Sequence, residues 1–163
     1  MQYEHQLIES IYRKPQRIID KYKFIRNLPN GLGSTIVFLG KDMNNKDIVV
    51  KQCIDKNDYK KEKETLQLLN NSIYTPKLVD FCDNSLYLVS EWCGNDLRNI
   101  NNYYKKQYLP HIKNIVNILY EKYKIHHNDI RWKNLTFKDN KIYLIDWEKS
   151  SDENTELNHD NIL

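Results

Sequence analysis

Several features that would place a chain in a membrane or in an oxidising compartment are missing from this sequence. It has only three cysteines in 163 residues, and Cys53, Cys82 and Cys93 are scattered without the spacing of a metal site. Isolated cysteines in odd number are typical of reduced thiols rather than of a disulfide framework. The N-terminus lacks a basic segment followed by an apolar one, and no apolar run reaches transmembrane length. We therefore expect a cytoplasmic protein without a membrane partner.

An excess of one charge is missing as well. The sequence has 25 basic and 22 acidic residues, for a formal net charge of +3. The two signs interleave, as they do on solvated surfaces, so that charge does not indicate a nucleic-acid partner. Hydrophobic residues make up 40% of the sequence, which is enough to form the core of one compact domain or of two small lobes.

The most informative stretch runs from residue 124 to residue 150, and it contains three polar residues with no obvious packing role. These are Asp129, Asn134 and Asp146. Two strand-like apolar pieces flank a polar turn between Asn134 and Asp146, so a hairpin would bring those two residues together. Two acids and an amide offer the hard oxygen ligands that Mg²⁺ on a phosphate requires. The competing interpretation is that Asp129 and Asn134 only satisfy a turn.

The order of these residues resembles the active site of protein kinases and of their small-molecule relatives. The stretch H-N-D-I-R-W-K-N-L is similar to the catalytic loop H-x-D-x-x-x-x-N, with Asp129 and Asn134 at its functional positions. L-I-D-W-E, which contains Asp146, resembles the metal-binding D-F-G element in the form found in choline and ethanolamine kinases. H-N-D is also typical of choline kinases, whereas Arg131 is closer to protein kinases. The resemblance implies the kinase superfamily and leaves the subfamily open.

The preceding residues follow in the order that the N-terminal lobe of a kinase would have. Gly31 and Gly33 resemble the glycine loop whose N–H groups hold phosphate oxygens, although a plain hairpin turn is the alternative. Lys51 lies centrally in a predicted strand and resembles the lysine that grips the α- and β-phosphates. In the helix predicted after it, Glu62 is favoured as the partner of Lys51, and Glu64 is the alternative.

Farther along the chain, Glu91 and Cys93 lie in a segment that resembles the hinge between kinase lobes, where backbone groups would bind adenine. An amphipathic helix over 109–123 then leads to the catalytic loop. The resemblance implies an α+β, bilobal protein-kinase-like fold. It comprises an N-terminal five-stranded antiparallel sheet with one main helix and a reduced helical C-terminal lobe. The expected segments are a helical extension (1–23), an N-terminal lobe (24–92), a reduced C-terminal lobe (93–148) and a flexible acidic tail (149–163).

The function implied by the resemblance is transfer of the γ-phosphoryl group of ATP, with Mg²⁺, to a hydroxyl group. Asp129 would accept or orient the hydroxyl proton, Asn134 and Asp146 would hold Mg²⁺, and Arg131 would neutralise charge on the transferring group. A Ser/Thr hydroxyl of a protein is favoured as acceptor. The alternatives are a choline- or ethanolamine-kinase-like enzyme acting on a small alcohol, and a nucleotide-binding pseudokinase that serves as a partner-binding module.

A partner is also expected, because the segments that follow D-F-G in ordinary kinases have no counterpart in this sequence. We expect either a homodimer or a protein docked on the reduced C-terminal lobe, over an apolar part of the 109–123 helix.

Overall fold

The computed structural model of the chain describes residues 21–29, 35–155 and 162. Gly31 and Gly33, and all of the predicted N-terminal helical extension except residues 21–23, therefore lie outside the described residues. Every structural statement below concerns the described part of the chain.

The N-terminal lobe is a five-stranded antiparallel sheet with one helix. Its strands occur in the order β1-β2-β3-β5-β4, and the helix α1 connects β3 to β4. Asp55 caps α1 by accepting hydrogen bonds from the backbone N–H groups of Asn57 and Asp58. The sheet and the single main helix confirm the predicted fold class. The elements are β1 (Lys23–Asn27), β2 (Thr35–Lys41), β3 (Asp47–Cys53), α1 (Lys56–Leu68), β4 (Leu78–Cys82) and β5 (Tyr87–Glu91).

The C-terminal lobe consists of one long helix packed on a small three-stranded sheet. Its elements are β6 (Asn95–Asp96), α2 (Asn102–Tyr123), a 3-10 helix (Trp132–Asn134), β7 (Leu135–Lys138), β8 (Lys141–Leu144) and a second 3-10 helix (Trp147–Lys149). The β7–β8 hairpin is the one predicted from the sequence. Helix α2 begins earlier than the predicted start at residue 109, because Asn101 caps it by accepting from the N–H of Tyr103. The polar first turns carry no apolar periodicity that would have indicated a helix.

Of the two buried apolar clusters among the described residues, one extends through both lobes. Leu66 and Leu69, near the end of α1, belong to the same buried cluster as Ile112, Ile115 and Leu119 of α2. The expected apolar face of α2 is therefore covered within the chain at these three positions. The large apolar or aromatic residues that remain exposed on α2 are tyrosines, namely Tyr103, Tyr104 and Tyr120. Neither described helix is long and apolar enough to cross a bilayer.

The chain after the second 3-10 helix forms hydrogen bonds with both lobes as far as Thr155. Ser150 is only 1% exposed, and its hydroxyl lies 2.8 Å from that of Thr65 on α1. Ser151 exchanges two backbone hydrogen bonds with His126, of 2.7 and 3.1 Å. The flexible tail expected from residue 149 onward thus differs from the structure over its first residues. The polar composition suggested solvation, but hydroxyl and backbone groups find partners in the fold.

Candidate active site

A cleft of about 500 Å³ lies between the five-stranded and the three-stranded sheets. Val37, Val49 and Leu88 line it from the N-terminal lobe, and Thr136 and Ile145 line it from the C-terminal lobe. Apolar side chains from both lobes line this slot, which suits a flat aromatic ring. A few polar groups at its ends would fix the orientation of a ligand, as is usual in small-molecule sites.

The segment that joins the two lobes borders this slot. Glu91 and Cys93, predicted as hinge residues, both line the cleft. Burial raises the pKa of the Cys93 thiol to about 12, so the side chain stays neutral and packs as an apolar group. Gly94 has a φ of +93°, and a Cβ there would lie 2.0 Å from the carbonyl oxygen of Phe137. Only glycine allows the chain to pass this close to β7.

An ion cluster around Lys51 lines part of the cleft. The Lys51 ammonium lies 2.6 Å from Glu62 Oε2, 2.5 Å from Asp146 Oδ1 and 3.5 Å from Glu148 Oε2. The side chain of Lys51 is only 14% exposed. Glu64, the alternative partner from the sequence, is instead exposed and lies 3.8 Å from Lys60. The structure therefore pairs Lys51 with Glu62.

The pKa values in this cluster follow from burial competing with ion pairing. Burial disfavours the charged form of Lys51, but Glu62, Asp146 and Glu148 outweigh it and hold the pKa of Lys51 well above its usual value. Burial also raises the pKa of Glu62 despite the neighbouring ammonium. At Asp146 burial acts in the same direction, yet the charge and hydrogen bond of Lys51 prevail and lower its pKa. Burial, followed by the charge of Asp146, raises the pKa of Glu148.

A second ion pair holds the predicted base. Asp129 is 2% exposed, and Arg131 approaches both of its carboxylate oxygens, with Nε 2.6 Å from Oδ1 and Nη2 2.6 Å from Oδ2. Asn134 Nδ2 donates to Asp129 Oδ2 at 2.8 Å and to the Asp129 carbonyl oxygen at 3.0 Å. Neither Asp129 nor Arg131 lines the cleft, whereas Asn134 does. In this arrangement Arg131 faces Asp129 rather than the space for a transferring group.

The hairpin brings Asp146 beside Asn134, as the sequence predicted. Leu135 pairs with Leu144 in the β7–β8 register, and the N–H of Ile145 donates to the Asn134 carbonyl oxygen at 3.0 Å. Asp146 is the next residue, and its φ of 68° turns the chain out of the strand direction. Because the Asn134 amide nitrogen is bonded to Asp129, the amide oxygen is the side-chain atom left for a cation.

Glu148 is a cleft residue that the sequence interpretation did not include in the site. Carboxylate oxygens of Glu62, Asp146 and Glu148 all lie within 4.8 Å of one another, and three carboxylates surround a single ammonium. Together with the Asn134 amide, this hard-oxygen donor set fits a divalent cation such as Mg²⁺. The sequence signal for Glu148 is its position as the third residue of D-W-E, which supports recognition of the motif but did not place Glu148 in the predicted site.

His127 is a buried residue of the loop that contains Asp129. Its ring is 3% exposed, and burial lowers its pKa, so the ring is neutral at neutral pH. Nε2 lies 2.8 Å from the carbonyl oxygen of Ile145, to which the Nε2–H tautomer donates. The ring also packs against Trp147, with the centroids 4.4 Å apart. His127 therefore ties the loop that contains Asp129 to the chain immediately before Asp146.

A cleft between two such lobes, with this ordered set of side chains, defines a protein of the protein-kinase-like class. The sequence matches the model of the RIO domain over residues 40–161. Since this match covers most of the chain, the protein belongs to the RIO domain family, an atypical protein-kinase-like family.

Comparison with solved structures supports the same fold. The chain is similar to the kinase PK-1 of Cydia pomonella granulovirus, with a TM-score of 0.65 and 22% sequence identity. The similarity covers 88% of this chain but 59% of that kinase, so the chain spans somewhat more than half of the viral protein's length. Among proteins with curated functions, none matches this sequence.

Proposed function

We propose that the protein is a kinase that transfers the γ-phosphoryl group of ATP, together with Mg²⁺, to a hydroxyl group. The observation that carries this proposal is the arrangement of Lys51. It forms ion pairs with Glu62 on α1 and with Asp146 after β8, and all three residues line a cleft of about 500 Å³. Membership of a protein-kinase-like family supports the reaction class.

In the proposed complex, the adenine ring occupies the apolar slot and hydrogen-bonds to the backbone of the Glu91–Cys93 segment. Lys51 contacts the α- and β-phosphates. An ammonium has three donors, so Lys51 can keep its bond to Glu62 while it exchanges Asp146 for a phosphate oxygen. This exchange releases the Asp146 carboxylate toward the cation.

Asn134 and Asp146 would hold Mg²⁺, and Glu148 lies near enough to assist. When bound, the metal supplies positive charge that neutralises the phosphate oxygens. The hard oxygens of these residues suit Mg²⁺ better than a softer metal.

Asp129 would orient the acceptor hydroxyl and take its proton. Its carboxylate is held by Asn134 and by both nitrogens of the Arg131 fork. A hydroxyl can reach an oxygen of Asp129 only after Arg131 turns away, and the same movement would bring Arg131 toward the transferring group. The role proposed for Arg131 as a neutralising residue thus requires a change of partner.

A Ser/Thr hydroxyl of a protein is our first choice of acceptor, because Arg131 is typical of kinases that act on proteins. The D-W-E and H-N-D sequences favour a small alcohol such as choline or ethanolamine as the second choice. A third possibility, from another class, is a nucleotide-binding pseudokinase that serves as a binding module for a partner. The exposed tyrosines of α2 (Tyr103, Tyr104 and Tyr120) are the candidate surface for a homodimer or a docked protein.

The test is a transfer assay with radiolabelled ATP and Mg²⁺ on purified protein. The acceptors are a generic Ser/Thr-containing protein, choline and ethanolamine, and Asp146→Ala is assayed in parallel. Label on the protein acceptor, absent with Asp146→Ala, supports the first choice, whereas label on choline or ethanolamine supports the second. Nucleotide binding without transfer to any acceptor would favour the binding module. Absence of nucleotide binding at millimolar Mg-ATP would overturn the kinase proposal.

A further inference from the structure

The residue between His127 and Asp129 has an unusually large number of hydrogen bonds for a loop side chain. The two N–H groups of Asn128 Nδ2 face three acceptors, the carbonyl oxygens of Lys149 (3.2 Å) and Glu153 (3.1 Å) and the hydroxyl of Ser151 (2.8 Å), so that one hydrogen is shared. Its Oδ1 accepts from the N–H of Thr155 at 3.2 Å. One amide therefore bonds four residues of the segment Lys149–Thr155, which we call the C-terminal clamp.

The backbone on both sides of Asp129 is tied to the C-terminal part of the chain as well. His126 exchanges two backbone hydrogen bonds with Ser151 of the clamp. On the other side, the N–H of Ile162 donates to the carbonyl oxygen of Ile130 at 3.0 Å. Asp129 thus lies between two anchored points, and Asn128 provides the side-chain anchor that immediately precedes it.

The backbone conformation of Asn128 explains why an asparagine suits this position. Its φ is 60°, in the left-handed region that asparagine adopts more readily than most other residues. The same conformation turns the Asn128 side chain toward the clamp, while the next side chain, Asp129, meets Arg131 and Asn134. A change at Asn128 would therefore be transmitted to the direction of the Asp129 carboxylate.

We propose that Asn128 is a positioning residue for phosphoryl transfer, and that the C-terminal clamp is the element against which it fixes the base. This inference rests on the proposed kinase function. The acceptor hydroxyl must be held close to the line of the transferring phosphorus, and a displacement of about 1 Å can lower a rate by about 10²-fold. Asn128 and the clamp hold the loop from one side, and Arg131 and Asn134 hold the carboxylate from the other.

The decisive variant is Asn128→Asp, with Asn45→Asp as its matched control. Asp keeps the size and tolerates the left-handed conformation, but it places a carboxylate oxygen against the carbonyls of Lys149 and Glu153. Asn45 has a φ of 62° and lies exposed in the turn between β2 and β3 of the N-terminal lobe. The control thus introduces the same change of charge in the same backbone conformation.

The transfer rate is measured per nucleotide-binding molecule, with binding sites counted by titration, so that loss of folded protein is removed from the result. We expect Asn128→Asp to lower kcat by about 10²-fold, with KM for ATP changed by less than about twofold. Asn45→Asp leaves both values as in the wild type. Asn128→Gly, which permits the same φ and introduces no repulsion, lowers kcat in the same direction and provides the test if the Asp variant fails to fold.

Amide hydrogen exchange gives a readout that does not depend on activity. Loss of the clamp should accelerate exchange at His126 and Ser151, whose N–H groups bond across it, in Asn128→Asp but not in Asn45→Asp. Unchanged kcat per binding site in both Asn128 variants overturns the positioning role, and unchanged exchange overturns the clamp itself. If the wild type binds nucleotide but transfers phosphate to no acceptor, the proposed function fails and the catalytic role of Asn128 fails with it. The exchange result still decides whether the clamp exists.

Discussion

The two ion clusters of the site differ in their balance of charge and in how far apart their members lie in the sequence. Around Lys51, three carboxylates surround one ammonium, and the groups come from β3, α1 and the chain after β8. Around Asp129, one carboxylate is bound by a guanidinium and an amide, all within six consecutive residues of one loop. The first cluster has an excess of negative charge and is suited to exchange partners with a cation and a phosphate. The second is charge-balanced and hydrogen-bonded, which suits a group whose orientation must be kept.

This difference predicts that substitution in the local cluster affects the chemical step most, whereas substitution in the dispersed cluster also affects binding and folding. Variants of Asp129, Lys51, Asp146 and Glu62 test that division, and a variant of His127, outside both clusters, should show a smaller effect.

Asp129→Asn should lower the transfer rate most. The amide keeps the shape of the carboxylate but cannot take a proton, and general-base contributions are about 10²–10⁴-fold. Binding of Mg-ATP, measured as an increase in Tm, should stay nearly unchanged. Asp139→Asn, in the exposed turn of the β7–β8 hairpin, is the control. Unaltered transfer in Asp129→Asn would make Asp129 a structural loop residue.

Lys51→Met should reduce both activity and stability. Removing one partner of a buried ion pair typically costs about 3–5 kcal/mol, because the remaining charges lie buried without compensation. The pKa of Glu62 is already raised by burial, so protonation should relieve the variant, and its stability should rise as the pH falls through that raised pKa. Tm measured between pH 7.5 and 5 for this variant and for Lys60→Met checks the prediction. A parallel pH profile in both variants would contradict it.

Asp146→Ala should remove most of the magnesium-dependent stabilisation by nucleotide. A ligand at 100 times its Kd stabilises a protein by about 2.7 kcal/mol, and the part that requires Mg²⁺ should disappear in this variant. Tm is recorded with ATP in the presence of Mg²⁺ and of a chelator. Equal magnesium-dependent shifts in the wild type and the variant would assign the cation to other ligands.

Glu62→Gln and Glu64→Gln should differ, although the two residues are close in the same helix. Glu62 bonds Lys51 and Glu64 lies exposed, so only the first change should weaken ATP binding, by about tenfold, equivalent to 1.4 kcal/mol. Isothermal titration calorimetry of both variants with Mg-ATP measures this difference in affinity. Equal affinity in the two variants would show that the observed ion pair is not used by the nucleotide complex.

Substitution of His127 should have the smallest effect on stability, and that effect should be seen only at acidic pH. Its pKa in the folded protein is lowered by burial, so between that value and about 6.5 the unfolded chain binds more protons than the folded one. Stability from the neutral ring is therefore complete above about pH 6.5 and is lost as the pH falls below it. The decrease in Tm from pH 7.5 to 5.5 should be smaller in His127→Gln than in the wild type. A larger decrease in the variant would contradict the prediction.

Much of the fold was accessible from the sequence because the signals were local. Apolar runs predicted the β7–β8 hairpin, which placed Asp146 beside Asn134, whereas the five-stranded sheet was implied by the kinase resemblance. The spacing within H-N-D-I-R-W-K-N-L also placed Asp129 and Asn134 in one loop. The start of α2 was predicted too late, since its cap at Asn101 and its polar first turns show no apolar period.

The partners of these residues were decided by tertiary structure. The sequence favours Glu62 over Glu64, but only the packing of α1 brings the Glu62 carboxylate to 2.6 Å from the Lys51 ammonium. Glu148 joined the site for a similar reason, because the turn at Asp146 directs it to the cleft. The kinase resemblance implies that Arg131 neutralises charge on the transferring group, yet in the fold it meets both oxygens of Asp129. A local pattern shows where a charged residue lies in the sequence. Contacts between residues 95 positions apart, such as Lys51 and Asp146, form only when the two lobes pack together.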